Sequence, residues 1–219
     1  MNQRCVRGRF HPACLVLLVS LAASGAFGVL PDLVVNSARL QYSVEVQRRY
    51  IADGSCSVVE GCTPAAGLRK LLLFDVGVAN IGKEDLVIGQ PGNGAYPFVY
   101  SPCHAHFHLN QFAIYKLLTL NFGNVVKARK QGFCLRDDKE YKQGASSGSG
   151  FTCGYQGISA GWQDVYDKSL DCQWLDVTGV PPGDYYLSVR VNPFRVFPES
   201  NYNNNQVLIR ITIPKLSDQ

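Results

Sequence analysis

The chain has 219 residues and a formal charge of +4, from 21 Lys and Arg against 17 Asp and Glu. That length supports one ordinary domain with a sizeable core. The basic excess sits in the leader: residues 1–26 hold Arg4, Arg7 and Arg9 and no acid, so beyond them 18 bases face 17 acids and the charge is +1. A domain so near neutrality has no basic surface to recommend it to nucleic acid, and no nucleic-acid partner is expected.

Residues 1–26 read as a secretory signal. Arg4, Arg7 and Arg9 form a basic start, 13–21 is an apolar stretch, and Ser24-Gly25-Ala26 is a small-residue cleavage site. The apolar run 13–30 is short for a membrane span, so the domain, 27–219, is expected outside the cell and free of the membrane after cleavage. Cys5 and Cys14 leave with the signal. Cys56, Cys62, Cys103, Cys134, Cys153 and Cys172 remain. An even count in an exported chain reads as three disulfides, with about fifteen pairings open.

Taken in chain order, the elements are strands. Period-two alternation of apolar residues is clearest at 72–78, 185–191 and 207–213, and weaker strands are expected at 33–35, 39–46, 86–88, 112–118 and 125–130. Asn80-Ile81-Gly82, Gln90-Pro91-Gly92-Asn93-Gly94 and Pro181-Pro182-Gly183-Asp184 punctuate them as turns. No long stretch keeps a helical period, and only short helical turns are expected, near 159–170. Residues 143–150 are a Gly/Ser loop between Cys134 and Cys153. The pattern predicts an all-β fold, an antiparallel β-sandwich with long loops and a few short helical turns.

Three of the four histidines are His104, His106 and His108; the fourth, His11, belongs to the leader. In a strand, positions i, i+2 and i+4 share a face. Imidazole is the commonest ligand for Zn and Cu, and three rings leave a coordination position open. The cysteines are committed to disulfides, which favours an open site over a structural zinc site. The affinity order of divalent ions favours Cu(II). A straight strand would separate the outer Cα atoms by about 13 Å, near the limit for one ion, so a bend or bulge is expected between His104 and His108, held by a disulfide from Cys103.

The stretch Ser101-Pro102-Cys103-His104-Ala105-His106-Phe107-His108 resembles the copper-binding motif of the lysyl oxidase family. Gly132-Phe133-Cys134-Leu135, Asp171-Cys172-Gln173-Trp174-Leu175-Asp176-Val177, Val191-Asn192-Pro193 and Pro198-Glu199-Ser200-Asn201-Tyr202-Asn203-Asn204-Asn205 resemble its catalytic domain in the same order. The resemblance implies copper on His104, His106 and His108. It also implies a lysyl tyrosylquinone cofactor made from Lys130 and Tyr166, because a phenol ring can be oxidised to an electrophilic quinone that a lysine amine attacks. The family's reaction converts primary amines, typically peptidyl lysine, to aldehydes with O2, releasing hydrogen peroxide and ammonia. Protein lysine side chains or small primary amines are therefore the expected partners.

The resemblance further implies the pairs Cys56–Cys103, Cys62–Cys172 and Cys134–Cys153. Two further family cysteines are missing together, at Glu140 and Trp162. A histidine sometimes taken as the family's base is replaced near Ile114, leaving Asp137 and Asp164 as candidate bases. Glu199, Asn201, Asn204 and Asn205 offer oxygen ligands suited to calcium, to which the resemblance adds Asp32 and the carbonyl of Leu33. The rival expectation is a non-catalytic secreted β-sandwich that binds metal for adhesion or copper handling.

Overall fold

The computed structural model describes residues 29–92, 97–128, 134–145 and 150–215. The expected signal segment and Lys130 lie outside the described residues. Within them the elements run β1 (Leu33–Val35), α1 (Ser37–Ser43), β2 (Glu45–Ile51), α2 (Cys56–Val59), β3 (Gly67–Leu73), β4 (Val76–Asn80), β5 (Leu86–Gly89), β6 (Phe98–Ser101), β7 (His106–Leu109), β8 (Ala113–Leu118), β9 (Asn124–Lys127), β10 (Lys139–Glu140), β11 (Gln156–Ile158), β12 (Trp162–Tyr166), β13 (Trp174–Asp176), β14 (Gly183–Val191) and β15 (Gln206–Ile213). The fold is all-β, as the alternation predicts.

The two largest sheets have the orders β1-β4-β12-β10 and β15-β14-β8-β9; β13-β3-β2, β11-β5 and β6-β7 complete the set. All of these neighbours pair antiparallel. Both large sheets turn apolar residues into one core. Val76, Val78 and Tyr166 meet Tyr115, Leu117, Leu187 and Val189 there. On β15 the alternation is strict: Ile209, Ile211 and Ile213 are buried while Leu208, Arg210 and Thr212 are exposed. At roughly 25 cal/mol per Å² of apolar area removed from water, these inward rows are the main stabilising contribution.

Strand β3 is buried on both faces at its end. Leu72 joins the main core, while Leu71 and Leu73 join Ile51 and Trp174 in a smaller cluster. A doubly covered strand reads as a continuous apolar run, which explains Leu71-Leu72-Leu73-Phe74.

Three expected elements differ. The strand at 39–46 is a helix through Ser43. The Asn36 side chain accepts from Arg39 N at 3.1 Å and caps its start. A strand would place Leu40 and Tyr42 on one face; here Leu40 is 0% and Tyr42 91% exposed. The strand at 72–78 divides into β3 and β4, which belong to different sheets. Asp75 at the break binds Arg39 at 3.0 Å and accepts from Lys168 N at 2.9 Å, so it ties the corner rather than extending a ladder. The expected helical turns near 159–170 give way to β12, because pairing with β4 satisfies its backbone from Gln163↔Ala79 to Tyr166↔Val76.

Candidate active site

Strands β6 and β7 form a hairpin whose register sets Ser101 opposite His106 and Val99 opposite His108. Only His106 and His108 stand on a strand. His104 sits in the turn between the strands, where His104 N donates to Ser101 O and Ala105 adopts φ 53°. The expected single strand is therefore corrected: a left-handed residue turns the chain between the first and second histidine, and this supplies the bend that a shared site requires. Cys103, adjacent to His104, is bonded to Cys56 with Cα atoms 5.6 Å apart.

The Nε2 atoms of His106 and His108 face each other at 2.9 Å. The His104 ring lies 5.9 and 5.4 Å from theirs, centroid to centroid. All three line a cleft of about 330 Å³ whose other wall is Ser169, Leu170 and Asp171. His106 Nδ1 bonds the His104 carbonyl at 2.8 Å, which sets Nε2 as its outward nitrogen. Two imidazole nitrogens at 2.9 Å either share a proton or face one cation, and an all-imidazole donor set suits copper or zinc.

Sequence reasoning passed over Glu60. Its Oε2 lies 3.2 Å from His104 Nε2 and its Oε1 accepts from Ser101 Oγ at 2.5 Å. The available signal was its position between Cys56 and Cys62, each of which is disulfide-bonded to a wall of the cleft. Cys62 pairs with Cys172, beside Asp171, at a Cα separation of 5.3 Å. Glu60 and these two sulfurs lie within 4.8 Å of one another. A disulfide is not a thiolate, however, so this group is not a metal site. The third pair is Cys134–Cys153, with Cα atoms 5.1 Å apart.

Tyr166 ends β12, 4% exposed, with Asp164 on the same face and 1% exposed. Burial first, and then the carboxyl of Asp164 beside it, hold the Tyr166 phenol well above its usual value. Burial likewise pushes Asp164 well above the carboxylate range, offset in part by the Tyr166 hydroxyl. Tyr115, in the same cluster, is also raised by burial, and its hydroxyl bonds Gln173 at 3.4 Å. The residues that follow Tyr166 reach the cleft directly, since Ser169 lines it.

Asp137 is placed elsewhere in kind. Its carboxylate accepts from Gly150 N at 2.9 Å, Phe151 N at 3.3 Å, Ser159 N at 2.8 Å and Ser159 Oγ at 2.6 Å. Those bonds hold two loops together and leave little capacity for chemistry. The segment leading to Lys130 leaves β9 beside Tyr115, where Ala128 N donates to Tyr115 O at 3.0 Å.

Of the residues expected to hold calcium, Asp32, Leu33, Glu199, Asn204 and Asn205 are linked by hydrogen bonds. Glu199 is buried and accepts from Leu33 N at 2.7 Å and from Asn192 and Asn205 Nδ2 at 2.5 and 2.7 Å. Asn204 Nδ2 donates to Asp32 at 2.8 Å. Oδ1 of Asn204 and Oδ1 of Asn205 are buried without a hydrogen-bond partner. Two orphaned amide oxygens beside a buried carboxylate fit a hard cation. Asn201 Oδ1 instead accepts from Asn203 N at 3.0 Å in an exposed turn.

Fold and cleft together define a disulfide-tied all-β domain that gathers imidazoles at one opening. The family model described as Lysyl oxidase matches residues 31–216, and the chain belongs to the lysyl oxidase family. Among its relatives, the rat protein "Lysyl oxidase homolog 2" is 36% identical over 184 residues, 80% of this chain and 23% of that protein. The Xenopus tropicalis protein of the same name is 34% identical over 213 residues, 93% of this chain and 26% of its own length. The human one is 35% identical over 184 residues, 80% and 23%. The chain thus spans about a quarter of the length of the curated relatives it matches. The solved CARDB domain of a Pyrococcus furiosus protein, in complex with di-metal ions, aligns over 84% of this chain and 88% of its own. Its identity is 13% and its TM-score 0.33, too low to carry an argument. Among the described residues no helix is long and apolar enough to cross a membrane.

Proposed function

We propose that the chain is a secreted copper- and quinone-dependent amine oxidase that takes primary amines, peptidyl lysine foremost, and O2 to aldehydes, hydrogen peroxide and ammonia. The observation that carries this is the convergence of His104, His106 and His108 on one cleft, with the loop after Tyr166 as its other wall. Copper bound there would supply the one-electron chemistry with O2 that turns the Tyr166 ring into a quinone cross-linked to Lys130.

The chain's own residues do the rest. The hairpin turn and the Cys56–Cys103 bond hold His104 against the strand that carries His106 and His108. Burial excludes water from the Tyr166 ring and keeps its phenolic proton in place at neutral pH. Asp164 lies beside the Tyr166 hydroxyl, which makes it the better placed of the two candidate bases, a role it fills only once its raised carboxyl has lost its proton; Asp137 is spent on loop contacts. Asp32, Leu33, Glu199, Asn204 and Asn205 form a calcium clamp between the first strand and the entry to the last, supported by the two orphaned amide oxygens. Asn201, engaged in its own turn, is the weakest member of that set.

The test is purified protein loaded with Cu(II) in air. Visible quinone absorbance and amine-dependent peroxide are expected, and Tyr166→Phe is expected to abolish both while keeping copper uptake. Copper-loaded wild type that shows neither signal sinks the reading. The burial of Tyr166, at 4% exposed, favours a second reading: a metal-binding β-sandwich for adhesion or copper handling in which that ring only packs. Under it, wild type and Tyr166→Phe bind copper equally and neither turns over amine.

A further inference from the structure

The α2 segment is fastened to both walls of the cleft. Cys56 bonds Cys103, next to His104, and Cys62 bonds Cys172, next to the lining residue Asp171. Between the two cysteines, Glu60 closes α2, its N–H donating to Cys56 O. Its carboxylate is mostly covered, the side chain 14% exposed, and spans Ser101 Oγ at 2.5 Å and His104 Nε2 at 3.2 Å. Two covalent bonds thus fix where this one carboxylate stands.

Resting on the copper reading above, we propose that Glu60 is the positioning residue of the metal centre: it takes the Nε2 hydrogen of His104 and so commits that ring to bind the ion through Nδ1. A ring nitrogen that carries hydrogen has no lone pair to give, and a carboxylate partner is the usual means of fixing the tautomer of a metal-bound histidine. His106 is fixed the opposite way. Its Nδ1 faces the His104 carbonyl, which accepts only, so Nδ1 carries the hydrogen and Nε2 is the donor nitrogen. His108 turns Nε2 to His106 Nε2 at 2.9 Å. The site is then mixed, with one Nδ1 and two Nε2 donors. That mixture follows from His104 standing in the turn while its partners stand on a strand.

The direct test needs no variant. In 15N-histidine-labelled wild type loaded with Zn(II), long-range 15N–1H spectra report which ring nitrogen each histidine gives to the metal. Binding through His104 Nδ1, His106 Nε2 and His108 Nε2 is expected; His104 bound through Nε2 overturns the proposal. The second test is Glu60→Ala and Glu60→Gln, read by competition for Cu(II) and by the Cu(II) EPR spectrum. Glu60→Ala is expected to weaken Cu(II) binding by roughly 10- to 100-fold and to change the spectrum. Glu60→Gln, which keeps an acceptor oxygen, recovers part of the affinity. Glu60→Ala with wild-type affinity and spectrum overturns the assignment. Wild type that binds neither metal overturns the copper reading itself, an outcome the ring-nitrogen result does not imitate.

Discussion

Asp164 is an acid buried to 1% exposure on the strand that carries Tyr166. Its carboxyl is raised well above 3.8, by burial first. The sign follows from linkage: the folded state binds the proton more tightly than the unfolded chain does. The stabilisation is present in full below 3.8 and is lost as pH rises through the raised value. Asp164→Asn removes the titration. Wild type is therefore expected to lose stability relative to Asp164→Asn as pH climbs from 4 towards 8, measured by paired urea melts at about unit pH steps. A constant difference across that range would show that Asp164 is charged in the fold. Tyr166 was marked by the family resemblance and Asp164 as a candidate base, while the stretch 159–170 read as helical turns rather than as a strand that sets the two on one face. The burial that raises both was not legible, because it comes from Val76 and Val78 on another strand and Tyr115 on another sheet.

At the scale of elements, the hairpin and the helix after β1 are the informative cases. The histidine spacing announced a shared face, and the length of a straight strand announced a bend. The turn that delivers it depends on Ala105 at φ 53°, a residue with no sequence signature for that conformation. Replacing Cys56 and Cys103 together by Ser should cost about 2–5 kcal/mol of stability and loosen copper binding, read by chemical melts and metal competition. If copper affinity is unchanged, the bond supports the fold alone. Helix α1 was misread as a strand because Leu40, Tyr42 and Val44 alternate as a strand would. Its cap decides otherwise, with Asn36 Oδ1 accepting from Arg39 N and Asn36 Nδ2 donating to Gln163. Asn36→Ala is expected to lower stability by about 0.5–2 kcal/mol in a thermal melt, with no change at the cleft.

At the scale of the molecule, residues 166 positions apart close the domain: Leu33 N donates to Glu199, and Asn204 binds Asp32 across a similar separation. A cation seated on the orphaned oxygens of Asn204 and Asn205 would bind only the folded chain and raise its melting temperature by mass action. Calcium at millimolar concentration should raise the midpoint and EGTA return it, with Glu199→Gln insensitive to both. Calcium that moves the two proteins equally would place its effect elsewhere.

What the sequence determined by itself was local: strands from period-two alternation, three imidazoles within five residues, and the motif order that places the chain in its family. These are set by short-range spacing, which the backbone period translates directly into faces. Tertiary structure decided what depends on distant partners. It split the apolar run at Asp75 between two sheets, because Arg39 and Lys168 meet there. It also brought Glu60 to His104 across 44 positions, because two disulfides, of the pairing that the family resemblance implied, tie the α2 segment to the chain beside His104 and Asp171. Contacts of that range have no period in the chain, so only the folded molecule reveals them.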